Sequence, residues 1–415
     1  MKKNYYSSVL MNDLGLIWQF SPNSLPLHPN FIIMLKQIIN ARIHTPSGWI
    51  EGGSIVVSGA TISEVKTDSL AVEKATIIDA EGAIVAPGCI DMHVHGAGGC
   101  DFINGDETSF QTIINVHAKH GTTSIYPSLA SADVASYIKA ATTCGKLMAK
   151  PNSPILGWHR EGPYFNIKKA GGQQARFITN PIEADYRMLL ERFPIIARSD
   201  AAPETDGAMD FALYITQKGV VAGIAHTDAD YPVVKEAWQH GYSHATHFYN
   251  GMSGFHNLNG YKHEGTVESV YLIENMTIEL ICDGLHVPPP MMQLAYNIKG
   301  ADKMAIVTDS LAYTHTDIKE DKAAGVIIEN GVCKLAHNGV LAGSTTTMDK
   351  MIKVLATTTS IPLHDIFRMA STTPAEIMGV SARKGSIEKG KDADFVLFDP
   401  QTLLLREVFR AGELV

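Results

Sequence analysis

Pro87-Gly88-Cys89-Ile90-Asp91-Met92-His93-Val94-His95-Gly96 is the stretch on which the reading of this chain turns. Its apolar residues read as a strand, and side chains alternate across a strand, so His93 and His95 point the same way from its end. Two imidazoles so placed can reach one metal ion. Glycines follow at Gly96, Gly98 and Gly99, which lets the backbone turn sharply and leaves space above the pair. A lone His-x-His is a weak signal, because two histidines on an ordinary strand give the same pattern. Its meaning depends on what the other strands bring to the same place.

Outward from this stretch the texture is regular. Short apolar runs alternate with helical stretches, the pattern of a parallel α/β fold. Eight strands are predicted, at 90–95, 122–127, 155–161, 195–199, 220–226, 243–247, 277–283 and 305–309. Helical periodicity fills most gaps, as at 110–120, 132–149 and 231–240. Eight such units predict a TIM (β/α)8 barrel over residues 87–385, a fold whose chemistry gathers at the C-terminal ends of the strands. Before it, β-rich runs at 37–43, 53–57 and 76–79 are separated by Gly, Ser and Asp, and the same texture returns at 393–398 and 403–411. The two ends are therefore expected to join in a small β-sandwich made of residues 34–86 and 386–415. Residues 1–33 mix Asn, Ser, Pro and Tyr without a period; a disordered extension is expected there, with Met34 as the true start.

Composition narrows the partners. A chain of 415 residues with 45% hydrophobic content can bury a large core. Its net charge of -9 and lack of a Lys/Arg cluster argue against nucleic acid or an anionic membrane, which leaves a small molecule. No apolar run approaches the ~20 residues of a membrane span, and the first residues lack the apolar core and cleavage site of a secretion signal. Five scattered cysteines, never in a Cys-x-x-Cys pair, suit a reducing compartment, so a cytoplasmic protein is expected.

Several predicted strands end in a metal-binding or proton-transferring residue: His93 and His95 on the first, His159 and Glu161 on the third, His226 on the fifth, His247 on the sixth and Asp309 on the eighth, with His286 just beyond the seventh. Taken singly, each histidine has a plainer reading as a hydrogen-bonded core residue. Their convergence on one rim points instead to a site for zinc or another first-row divalent ion. His159 is left off the ligand set, since supporting a ligand explains it as well, and Asp91 is expected to hydrogen-bond a ligand histidine. His117 and His120 are expected to cap a helix C-terminus.

These residues, with the runs Glu161-Gly162-Pro163, Ala225-His226-Thr227, Thr246-His247-Phe248-Tyr249-Asn250-Gly251-Met252, Asp283-Gly284-Leu285-His286 and Val307-Thr308-Asp309, are where the chain resembles the N-acetylglucosamine-6-phosphate deacetylases of the amidohydrolase superfamily. The likeness extends from Leu35 onward, and the closing run 385–394 is shared more widely in the superfamily. The resemblance implies removal of the acetyl group of N-acetylglucosamine 6-phosphate to give glucosamine 6-phosphate and acetate. It implies Glu161, His226 and His247 as ligands of a principal ion, and His93 and His95 with Glu161 around a second, so one or two divalent ions, zinc first, with iron, cobalt, manganese or nickel as alternatives. It gives Asp309 the role of catalytic acid/base and His286 a place beside the reacting carbonyl, with Asn250 and Gly251 holding the sugar phosphate. It also implies a homodimer.

Two departures bear on substrate. Where many members carry a phosphate-binding arginine, this chain reads 256–263 as His-Asn-Leu-Asn-Gly-Tyr-Lys-His, so Lys262 or His263 would substitute. A lysine gives charge without the bidentate fork. Gln173 stands near where many members have a histidine, which leaves the sugar epimer open between gluco and galacto. Cyclic amidases and adenine deaminases of the superfamily are the neighbouring alternatives; the former usually show a carboxylated lysine, and no lysine ends the fourth predicted strand.

Overall fold

The structure, a computed structural model, describes residues 35–415; the extension and the start expected at Met34 lie outside the described residues. From Cys89 onward, strand and helix alternate. The strands Cys89–Val94, Thr122–Leu129, Trp158–Tyr164, Ile196–Ala201, Val221–Ile224, Tyr242–Ala245, Thr277–Ile281 and Met304–Val307 form one parallel sheet, each paired with its neighbours in chain order. Helices occupy the crossovers, from Glu107–Ala118 to Pro289–Lys299. These strands are buried along almost their whole length because both faces are covered. At the far ends of the sheet, the Asp309 N–H donates to the His93 carbonyl (2.9 Å) and the His95 N–H to the Ser310 carbonyl (2.9 Å), tying the exits of the last and first strands together.

All eight strands overlap those read from the sequence, the third lying three residues later than expected at 158–164, with one systematic difference. The expected strands reached His226, His247 and Asp309, whereas the observed ones stop two residues earlier, at Ile224, Ala245 and Val307. The reason is backbone conformation. His226, His247 and Asp309 have φ of 46°, 29° and 45°, a region that ends a strand and that residues with a Cβ adopt rarely. Three metal-site candidates held in such a conformation are the kind of local strain found at functional sites.

A second sheet is built from both ends of the described chain. Its order places Leu405–Arg410 beside Phe395–Phe398, then Ile84–Pro87, Leu35–Thr45, Gly48–Ser58 and Thr61–Lys66. The run Phe395-Val396-Leu397-Phe398 is buried throughout, and period-two alternation explains why. Phe395 and Leu397 pack with Ile38, Ile43, Ile55 and Val57 in a small core, while Val396 and Phe398 turn into the large core beneath the parallel sheet. This strand is a shared wall, each buried aromatic contributing roughly 1.5–3 kcal/mol.

One element was not expected. Between Met304–Val307 and the helix Met348–Thr358, the chain makes a four-stranded sheet from Glu320–Asp321, Val326–Glu329, Val332–Leu335 and Leu341–Ser344. Its strands are too short for alternation to stand out from their Gly- and Asn-rich turns. The insertion matters, because the Ser344 N–H donates to the Asp309 carbonyl (2.8 Å) and so fixes that residue's backbone. The expected helix capping by His117 and His120 is also corrected: the buried His117 ring reaches Gly96 and Ser310, and His120 bonds Asp349, because both side chains pack inward across neighbouring elements. Among the described residues no helix is long and apolar enough to cross a membrane.

Candidate metal centre

Alternation along Cys89–Val94 and its exit brings Asp91, His93 and His95 to one face, and along Trp158–Tyr164 it brings His159 and Glu161 inward. The turns after three more strands add His226, His247 and Asp309. The result is two groups, Glu161 with His226 and His247, and His93 with His95 and Asp309, all six residues buried and the ligand atoms of each group within 4.8 Å of one another. Glu161 Oε1 lies 3.2 Å from His226 Nε2 and 3.1 Å from His247 Nε2. Its other oxygen lies 3.2 Å from His95 Nε2, so one carboxylate stands between the groups. Asp309 Oδ1 is 3.3 Å from His95 Nε2 and 3.5 Å from His93 Nε2.

Protonation shows what this cluster can hold. His226 Nδ1 lies 2.8 Å from the Lys169 carbonyl, which can only accept, so Nδ1 carries a proton. In the neutral ring Nε2 then bears a lone pair, and it faces Glu161 Oε1 and His247 Nε2 (3.1 Å). His93 repeats the pattern, with Nδ1 donating to Glu279 Oε1 (2.7 Å) and Nε2 aimed at His95 Nε2 (3.2 Å). One fixed lone pair in each group thus faces carboxylate oxygen, an arrangement that a cation set among these donors relieves. The residues therefore fit a divalent metal ion, with imidazole and carboxylate donors of the type zinc prefers. The electrostatics agree. Burial alone would lower the His95 pKa, but the carboxylates of Asp309 and Glu161 push it up to about 10. Burial would raise that of Glu161, yet the surrounding histidines, His226 first, hold it well below the usual carboxylate range.

Beneath the ligands lies a charge network that the sequence reading missed. Arg198 bonds Asp200 Oδ1 (3.0 Å) and Glu279 Oε1 (2.9 Å), and Asp200 accepts from Thr246 (2.8 Å) and bonds His159 (2.8 Å). All five are fully buried. Glu279 also accepts the His247 backbone N–H (3.1 Å), so one carboxylate orients a residue of each group. The available signal was a set of charged residues at alternating positions, Arg198, Asp200 and Glu279, inside otherwise apolar strands. His159 thus supports the site through Asp200, and burial with the nearby Arg198 lowers its pKa to about 4. Asp91 hydrogen-bonds a ligand histidine as expected, accepting the backbone N–H of His93 (3.3 Å), and it also accepts the Thr308 hydroxyl (2.5 Å).

The remaining candidates are placed as follows. Gln173 donates to Glu161 Oε2 (2.8 Å) while accepting the Ser131 N–H (2.8 Å), which puts it directly on a ligand carboxylate. His286 is clamped by Asp283, Nδ1 to Oδ2 at 2.7 Å, and its Nε2 is buried with no partner among the described residues. Gly251 packs on His226. A Cβ there would lie 2.9 Å from Nδ1, and its φ of 62° is one that glycine adopts without strain. Asn250 donates its backbone N–H to the His247 carbonyl (2.9 Å) in the same turn. Lys262 and His263 lie on a hairpin, His256–Leu258 with Tyr261–His263, where Lys262 is exposed over the Phe255 ring. They do not join the buried cluster.

Comparison with known proteins agrees with this geometry. The amidohydrolase family profile matches residues 84–413. The chain is 31% identical to an N-acetylglucosamine-6-phosphate deacetylase of Vibrio furnissii, over 75% of this chain and 77% of that protein. It is 29% identical to that of Lysinibacillus sphaericus, over 93% and 97%. The crystal structure of N-acetylglucosamine-6-phosphate deacetylase from Pasteurella multocida superposes with a TM-score of 0.86 at 28% identity, covering 92% of this chain and all of that one. With a profile match over most of its length and two clusters of the donors such proteins need, the chain belongs to the amidohydrolase family, among its N-acetylglucosamine-6-phosphate deacetylases.

Proposed function

We propose that this protein is a hydrolase acting on a linear amide, converting N-acetylglucosamine 6-phosphate to glucosamine 6-phosphate and acetate. The observation that carries the reading is the pair of ligand groups sharing Glu161, set beside a buried acid/base and a clamped histidine. Glu161, His226 and His247 hold the principal ion, and His93 and His95 with Glu161 hold a second where one binds; zinc suits these donors best. A divalent ion there supplies Lewis acidity, polarising the acetyl carbonyl and acidifying water. Asp309 takes the proton of the attacking water and returns it to the sugar nitrogen as the C–N bond breaks, since an amine leaves poorly without it. His286, oriented by the contact of its Nδ1 with Asp283, turns its buried Nε2 toward the oxygen that gains negative charge.

Asn250 and Gly251 hold the sugar phosphate from the turn after strand Tyr242–Ala245, Lys262 or His263 meets the phosphate, and Gln173 sets the acetamido side of the pocket while steadying Glu161. The eight parallel strands close as a TIM barrel over residues 87–385, supported by the hydrogen bonds between the first and last strand exits. Residues 34–86 and 386–415 form a β-sandwich folded from one sheet, supported by its separate small core. A homodimer is supported by Phe255, Leu258 and Tyr261, exposed together on and beside the hairpin. Free cysteines fit a cytoplasmic setting.

The test is acetate release from the gluco and galacto 6-phosphates by protein loaded with one metal at a time. Faster release from the gluco sugar is expected. Release from neither sugar, with turnover of adenine or a cyclic amide instead, would overturn the assignment.

A further inference from the structure

A cavity of about 440 Å³ opens at the N-terminal edge of the parallel sheet, the end opposite the metal ligands. Its walls come from the turn leading into strand Trp158–Tyr164, the segment after helix Thr372–Ile377, and the last residue of strand Leu405–Arg410. Nothing in the proposed deacetylation uses it. Its charge is unbalanced: Lys150, Arg383, Lys384 and Arg410 line it against only Asp392 and Asp394. Both acids are already engaged. Lys384 lies 2.7 Å from Asp392 and 2.5 Å from Asp394, and Arg383 lies 3.0 Å from Asp392.

Among the described residues, that leaves two cations without a counter-ion in the cavity. Lys150 has, among the described residues, only a long, solvent-exposed ion-pair contact with Glu107 (3.6 Å), outside the cavity wall. Arg410 is the more telling. Its Nη1 is buried and has no hydrogen-bond partner among the described residues. A buried guanidinium N–H without an acceptor costs on the order of 1–3 kcal/mol, and an incoming oxyanion would remove that cost. Around these charges, Met148, Ile155, Leu156 and Val380 supply an apolar wall, and the volume falls in the range of small-molecule sites.

We propose that this cavity is a second small-molecule site, which binds a phosphate monoester. The choice of phosphate over carboxylate follows from charge. Two surplus cations match a dianion, whereas a carboxylate would leave one uncompensated, and the guanidinium fork suits a phosphate's paired oxygens. The site takes its walls from both sheets, so its ligand braces one against the other.

The test is calorimetric titration of the metal-loaded protein with glucose 6-phosphate, which carries no amide to cleave, and with acetate. Arg410→Met should weaken glucose 6-phosphate binding at least tenfold, and Lys150→Met several-fold. Acetate release from the acetylated substrate in ligand-free buffer should be unchanged in both variants, because neither residue lies near the metal ligands. Unchanged affinity in the variants would place all binding at the metal end and overturn the proposal. Acetate binding that is tighter than phosphate-ester binding and lost in Arg410→Met would overturn the ligand class. If Arg410→Met does not fold, Lys150→Met still decides, since that side chain is 56% exposed and can be changed without disturbing the core.

Discussion

Asp309 stands where two duties meet. It is close enough to His93 and His95 to touch an ion they hold, and it is also the buried carboxylate placed to carry a proton between water and the leaving nitrogen. Asp309→Asn separates the duties, because the amide keeps the shape but cannot accept a proton. We expect turnover to fall by about 10²–10⁴ while metal content by mass spectrometry stays near that of the parent. Parallel loss of metal and rate would make the residue chiefly a ligand. Glu161→Ala should instead strip the principal ion, since it removes the carboxylate lying between the two groups; full metal occupancy in that variant would refute its role. The ligand residues were legible in the sequence because each lies at or just past the end of an apolar run. Gln173 was legible as a residue near the substrate, but not its bond to Glu161, since no local pattern reveals a contact made between the loop after one strand and the strand itself.

At the scale of elements, the strand Thr277–Ile281 carries more than its sequence shows. Glu279, at its centre, receives His93 Nδ1–H and the His247 N–H on one oxygen and Arg198 on both. Glu279→Gln keeps the volume but removes the charge that fixes the His93 tautomer. We expect metal affinity at the His93 group to fall 10–100-fold, measured by chelator competition, as it does when a partner of a ligand histidine is lost. Unfolding in urea should also show a loss of about 3–5 kcal/mol, because Arg198 stays buried with less compensation. An unchanged chelator titration would sink the idea. This network escaped the sequence reading because its members come from three strands and the turn after a fourth, and find one another only after the sheet has formed. The hairpin His256–His263 makes a contrasting prediction. If Lys262 meets the phosphate, Lys262→Ala should raise KM for the 6-phosphorylated sugar far more than for the unphosphorylated one, and added salt should shrink the difference, given screening over about 10 Å at 0.1 M. Equal changes on both sugars would remove it from the site.

For the whole molecule, pH is the informative variable. His44, on the first described strand, packs against Trp49, His364 and Phe367 where the small sheet meets the helix Leu363–Ala370. Burial, with His364 nearby, lowers its pKa to about 4. The folded state thus holds this ring neutral while the unfolded chain protonates it below about 6.5, so stability is full above that pH and declines as pH falls toward 4. The shift corresponds to at most about 3 kcal/mol. His44→Gln keeps a donor for the His364 carbonyl but cannot titrate, and its urea midpoint should fall less than the parent's between pH 7 and 5. Identical slopes would show that the ring is protonated without cost. The architecture itself was readable because period-two and helical patterns alternate so regularly, and the joining of the two ends because both carry the same β-rich texture. The strand Ile84–Pro87 shows what that joining entails during synthesis. It leads straight into the metal-binding strand, yet its antiparallel partner, Phe395–Phe398, follows about 300 residues later. At 5–20 residues per second, the ribosome takes roughly 15–60 s to supply it. Throughout that interval an apolar edge waits unpaired, a template for mispairing next to the strand that opens the future active site.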